Sequence, residues 1–190
     1  MKHLIITLGD PLGIGAEITK KALLKFKKLK NQKITIIGES CKGIEQLKIV
    51  DNFIKINSLY KKPTKIGASK YGADISFKAL NKAIDLCLLD KQACLITAPI
   101  CKESWAKLGI KFTGHTELLQ DRASVKKQVL MTFVAPPFTC ALATEHLAIK
   151  DISNHLTKKL LSEKLKLFSS FLGNKKIIVS ALNPHASDGG

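Results

Sequence analysis

The chain has 190 residues, 45% of them hydrophobic, and a formal net charge of +16. That is enough apolar material to bury a core, in one domain or one and a half. Its apolar runs are too short for a membrane-spanning helix, and the start, MKHLIITLGDPLGIG, lacks the apolar stretch of a secretory signal, so a soluble, cytoplasmic protein with no membrane partner is expected.

The elements follow in chain order. HLIITL (3–8) reads as a strand, Gly9–Gly15 as a loop, and Glu17 to about Lys30 as a helix with Ile18, Ala22, Leu23, Phe26 and Leu29 on one face. KITIIG (33–38) is a second strand, followed by a short helix around 40–47 and a third strand, FIKIN (53–57). Residues 58–74, with Pro63, Gly67 and Gly72, read as an exposed loop, and Asp74–Leu89 as an amphipathic helix. ACLITAP (93–99) is a buried strand; short helices are expected over Lys102–Leu108 and Thr116–Arg122. VLMTFVA (129–135) and TCALAT (139–144) flank Pro136-Pro137 as a hairpin. Asp151–Leu172 reads as one long helix stopped by Gly173-Asn174, and IIVSAL (177–182) as the last strand.

Strands alternating with helices predict an α/β layered fold with a mostly parallel sheet. Ligands gather at the carboxyl ends of strands in such sheets, which selects the loops 9–15, 97–102, 113–117, 144–147 and 183–190. A short polar stretch near Arg122–Lys127 marks a boundary between a first unit, 1–125, and a second, 126–190.

Charge and cysteine content exclude further classes. Five cysteines, none spaced C-x-x-C, argue against a disulfide framework or a zinc knuckle and for buried or reduced thiols. Arg122 is the sole arginine, so 30 of the 31 basic residues are lysine. Base-reading proteins favour the bidentate arginine fork, so nucleic acid is not the expected partner. The lysine-rich surface reads as biased composition, whose positive field could still help to attract a phosphorylated substrate.

The selected loops hold the chemistry. GDPLGIG (9–15) spaces its glycines G-x-x-x-G-x-G, neither a Rossmann nor a Walker pattern; they serve either a tight strand-to-helix turn or close approach to a ligand. In TGHTELL (113–119), Gly114 would allow an unusual turn that presents His115 and Thr116 at a helix start, where free N–H groups favour a phosphate or carboxylate; alternatively Thr116 is only an N-cap. His146 and His185 each follow a strand, so two imidazoles could converge on one metal ion, although two are an incomplete ligand set. His3 and His155 read as structural.

ITLGDPLGIGAEI (6–18), LITAPICKESWAKLGIKFTGHTELL (95–119), ALATEHLAIKDI (141–152) and ALNPHASDGG (181–190) resemble, in order and spacing, the PdxA family, the 4-hydroxythreonine-4-phosphate dehydrogenases of vitamin B6 biosynthesis. GHTE and NPHA are the most specific parts. The resemblance implies a three-layer α/β/α fold like that of isocitrate and isopropylmalate dehydrogenases, with a cleft between two domains and a homodimer whose subunits share the active site. It implies NAD- or NADP-dependent oxidation of 4-phosphooxy-L-threonine followed by loss of CO2, giving 3-amino-2-oxopropyl phosphate. His115 and Thr116 would then bind substrate, and His146 and His185 a divalent metal such as Zn, Mg or Co; no residue is assigned to the nucleotide. Members of that family run on past the NPHA loop with a third metal histidine and further substrate contacts. The second domain is therefore expected to be incomplete here, and the 190 residues are expected neither to hold the metal tightly nor to turn over alone.

Three motifs depart from the family pattern: Glu145-His146-Leu147-Ala148 in place of the usual T-H-L-P, Cys101 in place of the Asn of A-P-I-N-K, and Ser187-Asp188 in place of the Gly-Glu of NPHAGEGG. They leave open a related dehydrogenase of another phosphorylated hydroxy acid, such as a four-carbon sugar acid phosphate. An acyl-phosphate-linked transferase of similar fold and a catalytically inactive binding module are the remaining alternatives.

Overall fold

A computed structural model describes residues 2–123, 129–145, 147–173 and 175–183. The chain forms two compact units, Met1–Val125 and Lys126–Gly190.

In the first unit, β1 (His3–Thr7), β2 (Lys33–Gly38), β3 (Asn52–Lys55) and β4 (Ala93–Thr97) make a parallel sheet in the order β3-β2-β1-β4. Ile5 pairs with Thr35 on one side and Leu95 on the other, and Thr7 with Ile37 and Thr97, so β1, β2 and β4 end nearly level. The loops that follow them therefore emerge at one edge. β1 and β2 are apolar on both faces because both are covered. One face carries Ile6, Ile34 and Ile36 with Leu8, Leu23 and Ile44, beneath α1 (Gly15–Lys25) and α2 (Lys42–Glu45). The other carries Ile5 and Ile37 against Ala79 and Ala83 of α3 (Lys70–Leu89). This is the expected α/β architecture with a parallel central sheet.

Two helices differ from expectation, each for a local reason. α1 starts at Gly15 and buries Gly15, Thr19 and Leu23, while Ile18, Phe26 and Leu29 stay 40%, 40% and 70% exposed. A Cβ on Gly15 would lie 2.0 Å from the Leu8 carbonyl oxygen, so the helix docks through its small residues. Phe26 is already extended, which puts Leu29 beyond the helix end. α3 begins at Lys70 because Ser69 caps it, accepting the Gly72 N–H at 3.0 Å. His3 is structural as expected: its two ring nitrogens lie 2.9 Å from Asp90 Oδ2 and 2.8 Å from Thr35 Oγ1.

A third core cluster joins α3 to α4 (Lys102–Lys107) and α5 (His115–Arg122): Ala73, Leu80, Ile84, Trp105 and Leu118. Trp105 is fully buried, edge-on to Phe77 at 5.5 Å, and its Nε1–H donates to Ser76 Oγ at 2.9 Å.

In the second unit, β5 (Thr132–Ala135) and β6 (Phe138–Ala141) form the expected antiparallel hairpin. The expected single helix is broken. A 3-10 turn (Ile149–Asp151) leads into α6 (Ile152–His155), and α7 (Lys158–Leu172) starts afresh after extended Thr157, whose hydroxyl accepts the Leu160 N–H at 3.1 Å. A threonine that caps well interrupts a helix that apolar periodicity would carry through. His155 keeps a local role, its Nδ1 2.8 Å from the Asp151 carbonyl oxygen. Residues 177–182 are not a strand: Ile178, Val179 and Leu182 are 94%, 55% and 60% exposed, with no paired strand among the described residues. Strand propensity is realised only where a neighbouring strand completes the ladder.

Ser76→Ala removes the acceptor of the buried Trp105 Nε1–H. It is expected to cost about 1–3 kcal/mol, seen as a lower urea midpoint at unchanged m-value in equilibrium unfolding.

Candidate functional site

The edge formed by the carboxyl ends of β1 and β4 is tied together by backbone. The Asp10 N–H donates to the Pro99 carbonyl at 3.0 Å. Gly9 has φ +70°, and a Cβ there would sit 2.1 Å from Pro99 O, so both conformation and space demand glycine. The Asp10 side chain is 4% exposed; its Oδ1 accepts the Leu12 N–H at 2.9 Å and its Oδ2 the Ser104 hydroxyl at 3.3 Å. The Ser104 hydroxyl oxygen in turn accepts the Ser69 N–H at 3.0 Å. Of the two readings of GDPLGIG, the structure supports the turn: Gly9 and Gly15 pack against the chain's own backbone.

This scaffold delivers α4 and α5. Cys101 occupies the N-cap position of α4 without a side-chain cap, since a thiol accepts hydrogen bonds weakly. At the start of α5 the cap is Gly114, with φ 179°, an extended backbone open to any residue. The glycine is thus not required for its conformation; what it leaves is space. Thr116 lies in the first turn rather than at the cap, and its side chain is exposed. Glu117 folds back instead, accepting the Thr113 hydroxyl at 2.5 Å. That bond, then its own backbone N–H, with Lys102 and the Gly114 N–H adding, outweighs desolvation and holds the Glu117 carboxyl below the usual range. At its far end α5 is clamped by Arg122, which donates to Asn81 Oδ1 at 2.5 Å and pairs with Asp85.

His115 is the unusual group. Its ring is half-buried, tilted over Trp105 at 6.4 Å between centroids. Its Nε2 is buried with no hydrogen-bond partner among the described residues. Burial, then the Lys102 ammonium, pushes its pKa below the ordinary histidine value, so the ring is neutral near pH 7. Lys102 is the residue the sequence reading passed over. Its side chain runs past Gly114, with Cε 3.4 Å and Nζ 4.0 Å from where a Cβ of Gly114 would stand. Two things signal it in sequence: it is the lysine of the A-P-I-N-K pattern, directly after Cys101, and it takes the first helical position after the β4 turn.

The structure therefore brings His115, Thr116 and Lys102 to one loop. His146 and His185 lie outside the described residues. Beside the first, Glu145 Oε1 is 3.8 Å from Lys164 Nζ, a largely buried ammonium that donates to the Val129 carbonyl at 2.9 Å. Among the described residues, no group of three His, Cys, Asp or Glu is placed to hold a metal, and no helix is long and apolar enough to cross a membrane.

Comparison with known proteins bears on this arrangement. The family described as pyridoxal phosphate biosynthetic protein PdxA matches residues 4–190. A 4-hydroxythreonine-4-phosphate dehydrogenase of Synechocystis is 31% identical over all of this chain and 62% of its own length. A provisionally named D-threonate 4-phosphate dehydrogenase of Bradyrhizobium diazoefficiens is 32% identical over the same shares. The crystal structure of a 4-hydroxythreonine-4-phosphate dehydrogenase from Klebsiella pneumoniae superposes with a TM-score of 0.83 at 22% identity, over 100% of this chain and 65% of its own. The chain thus spans somewhat under two thirds of the length of the relatives it matches.

In a proton-detected titration, the His115 ring is expected to titrate below an unstructured histidine. Because its folded pKa is depressed, the associated stability is present above the ordinary histidine value and is lost as pH falls through the folded one. Unfolding midpoints across that window should fall with acid in the wild type and less so in His115→Gln.

Proposed function

The chain belongs to the PdxA family, and on that premise we propose that it serves the NAD(P)-dependent oxidation and decarboxylation of 4-phosphooxy-L-threonine to 3-amino-2-oxopropyl phosphate. The single observation that carries the reading is the half-buried His115 imidazole at the start of α5, whose Nε2 is buried without a partner among the described residues, near the Lys102 cation. A polar atom buried without a partner costs stability, and a ligand hydroxyl or phosphoryl oxygen reaching this loop would offset that cost.

In this reading His115 and Thr116 bind and orient the phosphorylated substrate. His115, kept neutral, contributes a hydrogen bond rather than a charge. A bound nicotinamide would supply the acceptor for hydride from the substrate's C3, the hydroxyl proton passing to solvent; loss of CO2 by cleavage of the C–C bond to the carboxylate, and protonation of the enolate left behind, would complete the reaction. His146 and His185 are the residues that would hold a divalent ion (Zn, Mg or Co), which when bound supplies Lewis acidity to the reacting hydroxyl and the enolate. The same reading includes a cytoplasmic homodimer and a second unit, 126–190, devoted to metal binding and dimerisation.

A second substrate is favoured by one observation, the 32% identical relative named for D-threonate 4-phosphate. The two substrates present the same phosphate and differ at C2, amine against hydroxyl.

Calorimetric titration of the chain with each compound, at a fixed concentration of divalent ion, separates them. We expect 4-phosphooxy-L-threonine to bind more tightly, and His115→Ala to weaken it by about tenfold or more, the worth of one good hydrogen bond. Tighter binding of D-threonate 4-phosphate would shift the assignment to the second substrate, and binding of neither would remove both.

A further inference from the structure

We infer that Lys102 is the phosphoryl-binding cation of the His115 loop, receiving the phosphoryl group of a ligand that also meets His115 and Thr116. The inference rests on the reading above that this loop holds substrate, and adds the residue that gives the loop its charge.

Three observations point the same way. The first is placement. Lys102 opens α4 at the carboxyl edge of β4, and its side chain is exposed yet runs alongside Gly114, within 3.4 Å (Cε) and 4.0 Å (Nζ) of the vacant Cβ position. A Cβ at 114 would stand in ordinary van der Waals contact with the lysine, which places its side chain beside the start of α5.

The second is charge. Neighbouring lysines are committed: Lys107 to Glu103 at 3.0 Å, Lys111 to Asp121 at 3.7 Å and Lys78 to Asp74 at 2.9 Å. Lys102 forms no ion pair or hydrogen bond among the described residues. The carboxylate best placed to take it, Glu117, is turned to the Thr113 hydroxyl at 2.5 Å. The ammonium is thus near enough to be felt by His115 and Glu117 but is quenched by neither.

The third is the buried Nε2 of His115, which has no partner within the described chain. A neutral imidazole gives direction without charge, and an ammunition of charge must come from elsewhere if an anion is to stay. An ammonium attracts a phosphoryl dianion more strongly than a singly charged carboxylate.

The test uses inorganic phosphate and acetate as probes of the whole chain, followed by calorimetry and by the His115 ring resonances. Lys102 is exposed, so Lys102→Gln should fold, which its unfolding midpoint verifies. Phosphate is expected to shift the His115 signals saturably and to bind about tenfold or more weakly to Lys102→Gln, as for loss of a charge-assisted bond. Lys102→Arg should recover most of that loss, and acetate should bind more weakly than phosphate to the wild type. If Lys102→Gln binds phosphate as the wild type does while His115→Ala does not, the substrate loop stands and the role of Lys102 falls. If phosphate leaves His115 unmoved in the wild type, the loop reading falls with it. Acetate binding more tightly than phosphate would overturn the phosphoryl assignment.

Discussion

The buried carboxyl group of Asp10 is the point on which the functional edge of the first unit is assembled. It lies in the turn after β1, and burying such a group is costly unless its oxygens are satisfied. They are, by the Leu12 N–H from its own turn and the Ser104 hydroxyl from α4. Gly72 of α3 approaches so closely that a Cβ there would lie 2.5 Å from Asp10 Oδ1. One side chain thus fixes the loop after β1, the start of α3 and the start of α4. Ser104 then passes the constraint to Ser69, and its neighbour Trp105 passes it through Ser76 to α3 and across its ring to His115. The loop that holds His115 is positioned by this chain of contacts from below, and by Arg122 at the other end of α5.

This explains which parts of the fold were legible in sequence. Strands β1 and β2 are rich in Ile, and a strand covered on both faces needs little more to declare itself; β4, expected to be buried, stands at the end of the four-stranded sheet with Ile96 43% exposed, because strand order is not written in local composition. Helix faces were less legible, because periodicity assumes that the largest apolar residues face the core. In α1 that holds only in part: Leu23 faces inward, but so do Gly15 and Thr19, and at Gly15 the Leu8 carbonyl just past β1 is too close for a side chain. The break before α7 depends on one threonine choosing to cap rather than continue, a competition of about a kilocalorie that composition does not register. The exposed 177–182 segment has the residues of a strand, but a strand is a property of a pair.

The site divides in the same manner. His115 and Thr116 could be named from the GHTE motif, and the structure adds that His115 opens the helix while Glu117 turns back to Thr113. Lys102 stands in the A-P-I-N-K pattern, but sequence gives it no role, because its meaning comes from a neighbour twelve positions on that has no side chain. In a chain with 31 basic residues and one arginine, charge alone singles out no lysine. Exposed pairs such as Lys21–Glu17 and Lys107–Glu103 are worth little to stability and mark nothing. What distinguishes Lys102 is that the carboxylates around it are engaged elsewhere.

The coupling between Lys102 and His115 has a consequence for how such a loop can work. The ammonium and burial together disfavour a proton on His115, so the ring meets its ligand neutral. An arriving phosphoryl group would cancel part of the lysine's field and so return some basicity to the ring, and linkage makes this reciprocal: a proton on His115 would strengthen the hold on the anion. Glu117 moderates the exchange, since its carboxylate also feels Lys102 but is held by Thr113 and backbone N–H groups. An exposed lysine, a tethered glutamate and a half-buried imidazole therefore form one electrostatic unit, in which the lysine adds to burial in keeping the imidazole unprotonated.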